Sequence, residues 1–289
     1  MAISAAMVKE LRERTGLGMM DCKKALAEAD GDMERAIEEL RKKSALKAAK
    51  KAGRTAAHGL LGVKVADDGT RGAIVEINIE TDFAAKNEKF IAFVSKVTEL
   101  LFASGAAELN GIMTDELNAE RETLVQEIGE NISIRRGTAV DSAAGGISSY
   151  LHGDHRRGAL IMLNGANDTV GKDLAMHVVA INPMVIRSAD VSEDVLAKER
   201  EIYLSQAQDS GKPEEIIVKM VEGRVKKFLA EVSLVDQPFV KDGNLKVSAL
   251  LKDAGVDIDG FVRFEVGEGI EVEDVDFAAE VAAQVAGAE

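Results

Sequence analysis

The chain has 289 residues and a formal net charge of −14, from 50 acidic and 36 basic residues. This length supports a sizeable core and about two domains. So acidic a chain is a poor candidate for binding nucleic acid over its whole surface. The charge is uneven, since residues 1–54 hold 13 basic and 9 acidic residues, a net of +4, and the remainder holds a net of −18.

Cysteine content and hydropathy indicate the compartment. A single cysteine, Cys22, excludes an internal disulfide framework and fits a reducing environment. The first residues include charges and lack the apolar core of a signal peptide. No apolar run approaches the ~18 residues that a membrane-spanning helix needs. We therefore expect a cytoplasmic chain that does not enter a membrane.

Residues 1–54 predict a small N-terminal domain of three helices that ends in a basic linker. Ser4 and Asp32 are plausible N-caps, and Gly16 is a typical helix stop. So small a bundle has a thin core, and we expect it to dock on something. Residues 41–54 carry seven basic residues and no acid. A solvated helical linker is the favoured interpretation, with contact to an acidic partner or to nucleic acid as alternatives. No aromatic side chain is interleaved for base stacking.

Residues 55–140 predict a first α+β lobe. Apolar and polar residues alternate over 61–65 and again over 73–79, and Asp68 and Gly69 between them signal a tight hairpin turn. An amphipathic helix and a charged helix follow, and the segment ends in a strand-like run.

The same pattern recurs in residues 141–189 and 233–272, which predict a second lobe related to the first. Residues 190–232 interrupt this lobe with two amphipathic stretches around a Gly- and Pro-containing turn, which predicts an antiparallel helical hairpin. Two helices cannot bury both apolar faces alone, so we expect part of this arm to contact another subunit in a homodimer. Residues 273–289 predict a C-terminal helix.

No motif of a nucleophile, metal site or phosphate-binding loop stands out. His152 and His155 in HGDHRRG could form a metal pair, but no third ligand is evident, so a polar loop or a partner contact is favoured. His177 lies on an apolar helix face and is expected to pack in the core. We therefore expect no cofactor and no catalytic site.

The stretch EINIETDFAAKNEKF, residues 76–90, is the feature of the sequence that is most informative about function. A strand-like run ends in Thr81, Asp82 and Phe83, at the start of a helix. Asp82 could cap that helix while Phe83 fills the core; alternatively, both project outward as a wedge into a partner. The tetrapeptide DFAA recurs at residues 276–279, where docking of the terminal helix is the simpler interpretation. The tetrapeptide alone is therefore not diagnostic.

Two segments together resemble the signatures of bacterial elongation factor Ts: LRERTGLGMMDCKKAL at residues 11–26 and EINIETDFAAK at residues 76–86. SGKPEEIIVKMVEGR, EVSLVDQPFV and RFEVGEGIE are similar to that family too, so the likeness covers essentially the whole chain in order. Ile79 and Ala84 depart from the second signature, which usually has a small or polar residue and a valine there. These departures concern local packing and leave the Asp-Phe pair intact.

The resemblance implies an α+β fold with four parts. These are an N-terminal three-helix (UBA-like) domain, a two-lobed core of small antiparallel sheets with helices, an inserted antiparallel helical hairpin that dimerises, and a C-terminal helix module. It also implies a function, guanine nucleotide exchange on elongation factor Tu, the GTPase that delivers aminoacyl-tRNA. Such a factor has no catalytic residues of its own and needs no cofactor, metal or direct contact with nucleic acid.

The resemblance also assigns partner-binding residues. Thr81, Asp82, Phe83 and Ala84 would form a wedge between helices of the partner's GTPase domain and disturb its magnesium and phosphate site. The N-terminal domain and the C-terminal helix would grip the same domain, through Leu11, Arg12, Met19, Met20 and Phe277. His152 would lie on the side that faces a distal domain of the partner.

Two other classes remain open. A binding module without exchange activity would leave the rate of GDP release from the GTPase unchanged. An RNA-binding protein that uses residues 41–54 would show a strongly salt-dependent affinity for RNA. An enzyme is disfavoured, because no constellation of catalytic groups is present in the sequence.

Overall fold

The computed structural model describes residues 3–208 and 213–271. Within them the fold is α+β, as the sequence predicts, with ten α-helices and small antiparallel sheets. The helices are α1 (Ala5–Thr15), α2 (Met19–Glu28), α3 (Met33–Lys51), α4 (Asp82–Ala85), α5 (Glu88–Ala103), α6 (Asp115–Ile128), α7 (Asp168–Ile181), α8 (Glu193–Gln208), α9 (Glu214–Val232) and α10 (Val247–Ala254). The strands are β1 (His58–Val65), β2 (Arg71–Ile79), β3 (Ile132–Asp141), β4 (Ile147–Leu151), β5 (Arg157–Leu163), β6 (Pro238–Phe239), β7 (Asp242–Lys246) and β8 (Ile258–Glu265). The expected C-terminal helix, with Phe277, lies outside the described residues.

Helices α1, α2 and α3 form the N-terminal part, and local capping sets their ends. The Ser4 hydroxyl accepts a hydrogen bond from the Met7 N–H at 3.2 Å, and the Asp32 carboxylate accepts one from the Arg35 N–H at 3.0 Å. Gly16 ends α1 in the left-handed region, with φ 72°. Residues 41–51 of the basic linker form the second half of α3, and residues 52–54 follow the helix. The apolar faces of the three helices bury a small core of Val8, Leu11, Leu17, Cys22, Leu26 and Leu40.

The first lobe is the antiparallel sheet β1-β2-β3 with helices α4, α5 and α6. The turn between β1 and β2 contains Asp68 and Gly69, as predicted. Strand β3 returns to the free edge of β2 and pairs Ile132 with Ile79, which makes β2 the central strand. Helices α5 and α6 cover one face of the sheet, and Phe90 of α5 is completely buried there.

The second lobe repeats this topology with strands β4-β5-β8. Strand β8 returns to the free edge of β5 and pairs Ile258 with Leu163. Helices α7 and α10 cover one face, and His177 of α7 is completely buried, as predicted. Between α7 and β8 the chain inserts α8 and α9, which pack against each other. It also inserts a two-stranded sheet of β6 and β7 that the sequence does not predict.

The two sheets pack against each other through the faces that the helices leave open. Leu61 and Ile74 of the first lobe meet Leu160 and Val266 of the second in a buried apolar cluster. Strand β2 is consequently covered on both faces, and all of residues 72–79 are buried. Such a strand is a rigid support for the residues that follow it.

The carboxylate of Glu76 is completely buried between the lobes. Its Oε1 accepts hydrogen bonds from Arg135 at 2.9 Å and from the Gly267 N–H at 2.8 Å, and its Oε2 accepts one from Arg136. Burial by itself raises the pKa of Glu76, but the hydrogen bonds outweigh it and hold that pKa below its usual range. Because Gly267 follows β8, this cluster ties β2 to the second lobe.

Candidate partner-binding site

Asp82 and Phe83, called here the Asp82/Phe83 pair, follow the buried end of β2. The Thr81 hydroxyl accepts a hydrogen bond from the Ala84 N–H at 3.2 Å, which makes Thr81 the N-cap of the one-turn helix α4. Phe83 is 82% exposed, more than any other large apolar side chain among the described residues. The interpretation in which Asp82 caps the helix and Phe83 fills the core is therefore wrong. Both side chains of the pair are open to solvent.

Lys86 contacts both members of the pair. Its Nζ lies 2.9 Å from Oδ2 of Asp82 and 5.3 Å from the centroid of the Phe83 ring. The hydrogen bond from Lys86 holds the pKa of Asp82 below its usual range, so this carboxylate is ionised at neutral pH. All three side chains are exposed, so solvent screens the ion pair and its contribution to stability is small. Helix α4 thus presents an aromatic ring beside an ion pair.

The inner side of α4 is apolar. Ala84 is half-buried and packs against the core of the first lobe, and Ala85 is buried in that core. The predicted contact residue Ala84 therefore faces mainly inward. After α4, the Asn87 side chain accepts a hydrogen bond from the Lys89 N–H at 2.9 Å and caps α5.

Two carboxylates connect residues 80–81, which precede α4, to the junction between α6 and β3. Glu130 accepts hydrogen bonds from the Thr81 N–H at 2.9 Å and from the Thr81 hydroxyl at 2.8 Å. In the opposite direction, Glu80 accepts one from the Asn131 N–H at 2.6 Å. The sequence interpretation missed Glu130, because it lies 49 residues from Thr81. A single acid before a strand carries no local signal of such a contact.

The N-terminal helices carry a second exposed apolar surface, called here the N-terminal groove. Met19 and Met20 are 60% and 73% exposed and, with Arg12, line a groove of about 440 Å³. Leu11, which was also expected to contact a partner, is instead completely buried in the core of the three helices. A side chain with no exposed surface cannot touch a partner, so the role of Leu11 is to pack these helices together.

His152 lies in the turn of the β4–β5 hairpin. Its Nδ1 is 3.2 Å from the Tyr150 hydroxyl, and its backbone N–H donates to the Arg157 carbonyl at 2.9 Å. The carbonyl of His155 accepts a hydrogen bond from the Leu61 N–H at 2.7 Å, which joins the turn to the first lobe. Within the part of the chain that the structure describes, no group of three His, Cys, Asp or Glu side chains could hold a metal ion.

Apart from the buried Leu11, the predicted residues that the structure describes lie on three separate surfaces: residues 81–84, the N-terminal groove and the β4–β5 hairpin. Candidate surfaces spread over three elements are typical of a site for a large partner, whereas a small molecule is usually enclosed in one pocket. Over residues 3–208 and 213–271, no helix is long and apolar enough to cross a lipid bilayer.

Comparison with known proteins finds relatives over the whole length of the chain. A family model described as Elongation factor TS matches residues 80–268. Curated relatives named Elongation factor Ts include proteins of Hahella chejuensis, 56% identical, and Saccharophagus degradans, 54% identical, each over 99% of both chains. That of Thioalkalivibrio sulfidiphilus is 49% identical over 100% of both chains. The chain belongs to the elongation factor Ts family.

Membership of the elongation factor Ts family confirms the resemblance seen in the sequence. It places the chain among the factors of translation elongation. The family model begins at Glu80, so it includes helix α4 and Glu130. The N-terminal groove lies outside that model but inside the matches to full-length elongation factor Ts relatives.

Proposed function

We propose that this chain is a guanine nucleotide exchange factor for elongation factor Tu. It binds the GDP-bound GTPase and inserts the Asp82/Phe83 pair, flanked by Thr81 and Ala84, between helices of the GTPase domain. This disturbs the magnesium and phosphate site and promotes release of GDP, so that GTP can bind during elongation. Family membership supports the choice of partner. The observation that carries the mechanism is Phe83, 82% exposed beside a strand that is buried on both faces.

Exchange requires differential binding. The factor must bind the nucleotide-free or distorted GTPase more tightly than the GDP-bound form. By linkage, the factor then lowers the affinity of the GTPase for GDP as many-fold as GDP lowers its affinity for the factor. A thousandfold effect needs about 4 kcal/mol. Burial of one Phe side chain supplies about 1.5–3 kcal/mol. Phe83 therefore supplies only part of this free energy. Loss of magnesium coordination and further contacts with the GTPase supply the rest.

The N-terminal groove and the second lobe provide those further contacts. Arg12, Met19 and Met20 offer a cation and two exposed thioethers to the GTPase domain. His152 contacts a distal domain of the partner. Phe277, which lies outside the described residues, adds a contact to the GTPase domain.

Residues 190–232 act as a dimerisation arm in this proposal. Ile202, Leu204, Ile216 and Val218 of α8 and α9 are each between 42% and 49% exposed. A second copy of the arm would cover these side chains and bury their apolar surface. Measuring the mass in solution, with the arm present and with it deleted, tests the homodimer.

The proposed division of the chain follows the same assignments. Residues 1–54 are a UBA-like three-helix domain with its basic linker, and residues 55–140 are the first lobe. Residues 141–189 and 233–272 make up the second lobe, and residues 273–289, which lie outside the described residues, are assigned to a C-terminal helix module. The factor acts in the cytoplasm, where elongation takes place.

Direct contact with nucleic acid and catalysis by the chain itself are not part of this proposal. Lys42 and Lys43 of the basic segment pair with acids of the N-terminal helices, and Lys51 donates to the Gly129 carbonyl. These contacts leave fewer free cations than the sequence suggests. The factor works by binding, and it forms and breaks no covalent bond.

Release of fluorescent GDP from elongation factor Tu tests the proposal. The chain is expected to accelerate release, and Phe83→Ala to reduce that acceleration by roughly 10- to 150-fold, the equivalent of one buried ring. The double variant Asp82→Ala with Phe83→Ala should lose most of the acceleration and keep some binding. Leu100→Ala is the control, because Leu100 is an exposed apolar side chain near the other end of α5.

Two outcomes would contradict the proposal. A parent chain that binds the GTPase without changing the rate of GDP release would be a binding module. Undiminished exchange by the double variant would exclude the wedge while leaving exchange itself intact.

A further inference from the structure

Both lobes have the same contact at the end of their central strand. In the first lobe, Glu80 follows β2 and accepts a hydrogen bond from the N–H of Asn131, the residue before β3, at 2.6 Å. In the second lobe, Asn164 follows β5 and accepts one from the N–H of Asp257, the residue before β8, at 2.9 Å. The strand pairings make these positions equivalent. This contact therefore belongs to the fold of a lobe.

Glu130 adds a contact that has no counterpart in the second lobe. Its carboxylate accepts hydrogen bonds from both the N–H and the hydroxyl of Thr81. The residue equivalent to Glu130 is Val256, whose side chain has no hydrogen-bonding atom, and the residue equivalent to Thr81 is Gly165. In the second lobe β8 pairs with β5 without such a contact, so the sheet topology of a lobe does not require it.

The Thr81 hydroxyl links Glu130 to helix α4. It donates to Glu130 and accepts from the Ala84 N–H, so its direction is fixed at both ends. A helix of four residues is one turn long and is not stable alone, so its orientation depends on its attachments. Phe83 lies two residues beyond the anchored Thr81.

We propose that Glu130 is a positioning residue for the Asp82/Phe83 pair. The proposal rests on the proposed exchange function and deepens it. Glu130 holds α4 in the orientation in which a partner meets it, so the turn does not have to be ordered during binding. The neighbouring Asn131 extends the anchor, because its side-chain amide donates to the Arg54 carbonyl at 2.9 Å, just beyond the end of α3. The segment that carries the pair is thereby linked to the start of β3 and, through Asn131, to the end of α3.

Hydrogen exchange of the free protein tests the anchor without a partner. In Glu130→Ala, the amides of Ala84 and Ala85 are expected to exchange about tenfold faster, the usual effect of losing a helix cap contact. The amides of β2 should keep their protection. Equal exchange of α4 in the parent and the variant overturns the proposal, whether or not the chain promotes GDP release.

GDP release tests whether the anchor acts through the ring. Glu130→Ala is expected to slow the stimulated release about tenfold in the parent chain, but less than about twofold in the Phe83→Ala background, because the two residues act on one contact. Glu130→Gln keeps a carbonyl for the Thr81 N–H and should recover part of the rate. Glu120→Ala is the matched control, since Glu120 is an exposed acid of α6 that pairs with Lys96.

The outcomes separate the two proposals. Equal losses in both backgrounds would mean that Glu130 acts elsewhere, and no loss in either would remove its role; both overturn the positioning proposal alone. A parent chain that fails to accelerate GDP release overturns the proposed function and, with it, the role of Glu130 in exchange.

Discussion

The junctions that follow the central strands of the two lobes differ by one helical turn. Seven residues lie between Ile79 and the helix cap Asn87 in the first lobe, whereas three lie between Leu163 and the helix cap Asn167 in the second. The difference is four residues, which is the length of α4. In both lobes an asparagine side chain then starts the long helix that covers the sheet.

This difference shows that α4 is an addition to the topology that the two lobes share. The second lobe shows that a lobe can be closed without α4, so the first lobe does not need the turn for its topology. The turn follows β2, the strand that is buried on both faces. It also keeps Phe83 in solvent, where a large apolar side chain is of no benefit to stability unless a partner covers it.

The largest expected effect comes from making the two junctions alike. Replacing residues 80–86 with the Asn-Gly-Ala sequence of residues 164–166 removes α4 and keeps a side-chain acceptor for the Asn131 N–H. We expect circular dichroism and cooperative unfolding to be retained, because the second lobe closes with this connection. We expect the stimulation of GDP release to fall by more than about 100-fold, because the exposed ring and the acid are both lost. An unfolded product would mean that α4 belongs to the fold of the first lobe.

The second contrast concerns Glu76 and Leu160, each three residues before the end of its strand and both buried between the sheets. Glu76→Gln is expected to lower the free energy of unfolding by roughly 3 kcal/mol, because Arg135 and Arg136 lose their buried counter-charge. Urea unfolding at neutral pH measures this. As a control, Glu99→Gln removes an exposed partner of Lys64 and should cost less than about 1 kcal/mol.

The pH dependence of unfolding checks the same carboxylate. The folded-state pKa of Glu76 is lowered from the usual 4.5, so its contribution is present above pH 4.5. That contribution is lost as the pH falls through the lowered value, because the unfolded state then binds the proton more readily. The Glu76→Gln variant should therefore lose less stability than the parent over this acidic range. Parallel curves for the two proteins would show that Glu76 is not held ionised by the fold.

Local signals in the sequence predict the elements well and the contacts between elements poorly. The caps Ser4 and Asp32, the stop at Gly16 and the turn at Asp68 depend on neighbours within a few residues, so they can be found without a structure. The exposure of Phe83 could not be decided in this way. The same acid and aromatic suit a core or a surface until the packing around the strand is known.

The residues that sequence reasoning misplaced or missed depend on distant neighbours. Leu11 lies in a signature segment, but burial depends on how three helices pack. Glu76 looks like the polar face of an alternating strand, yet the second sheet covers that face. Glu130 anchors a residue far away along the chain. In each case the deciding partner is set by tertiary structure, which a residue pattern does not contain.

The third comparison between the lobes concerns His177, whose equivalent in the first lobe is the apolar Val97. His177 and Val97 each lie ten residues after their helix cap, and both are completely buried. The His177 Nε2 lies 2.8 Å from the Gln237 side-chain oxygen, and its Nδ1 accepts from the Val240 N–H at 3.1 Å. His177→Phe leaves both groups without a partner, so we expect a loss of roughly 2 kcal/mol in urea unfolding at pH 7.5.

The same ring should make the second lobe sensitive to mild acid. Burial lowers the pKa of His177, and the hydrogen bond with Gln237 offsets this only in part. Below about pH 6.5 the unfolded chain binds a proton that the folded chain does not, so stability should fall between about pH 6.5 and the lowered pKa. His177→Phe should show a flatter dependence over this range. The idea fails if both proteins lose stability equally between pH 7.5 and 5.5.

The smallest expected effect distinguishes two ways in which Asp82 could act. Lys86 pairs with Asp82 in the first lobe, and Lys172 pairs with Asp168 at 2.8 Å at the start of α7, so Lys172→Met is a matched control. Lys86→Met should let the pKa of Asp82 return towards its usual value, which a carboxyl NMR titration measures.

The direction of the change in GDP release then decides the role of the carboxylate. If Asp82 repels the phosphate region by charge, Lys86→Met removes a neutralising cation, and release should become up to about threefold faster at low salt and lose this gain at high salt. If Asp82 instead accepts a hydrogen bond from a displaced partner backbone, release should stay close to the parent rate at both salt concentrations. Slower release in Lys86→Met would contradict both roles and would mean that Lys86 itself contacts the partner. A change in the rate of release in the control Lys172→Met would show that the effect is not specific to the α4 surface.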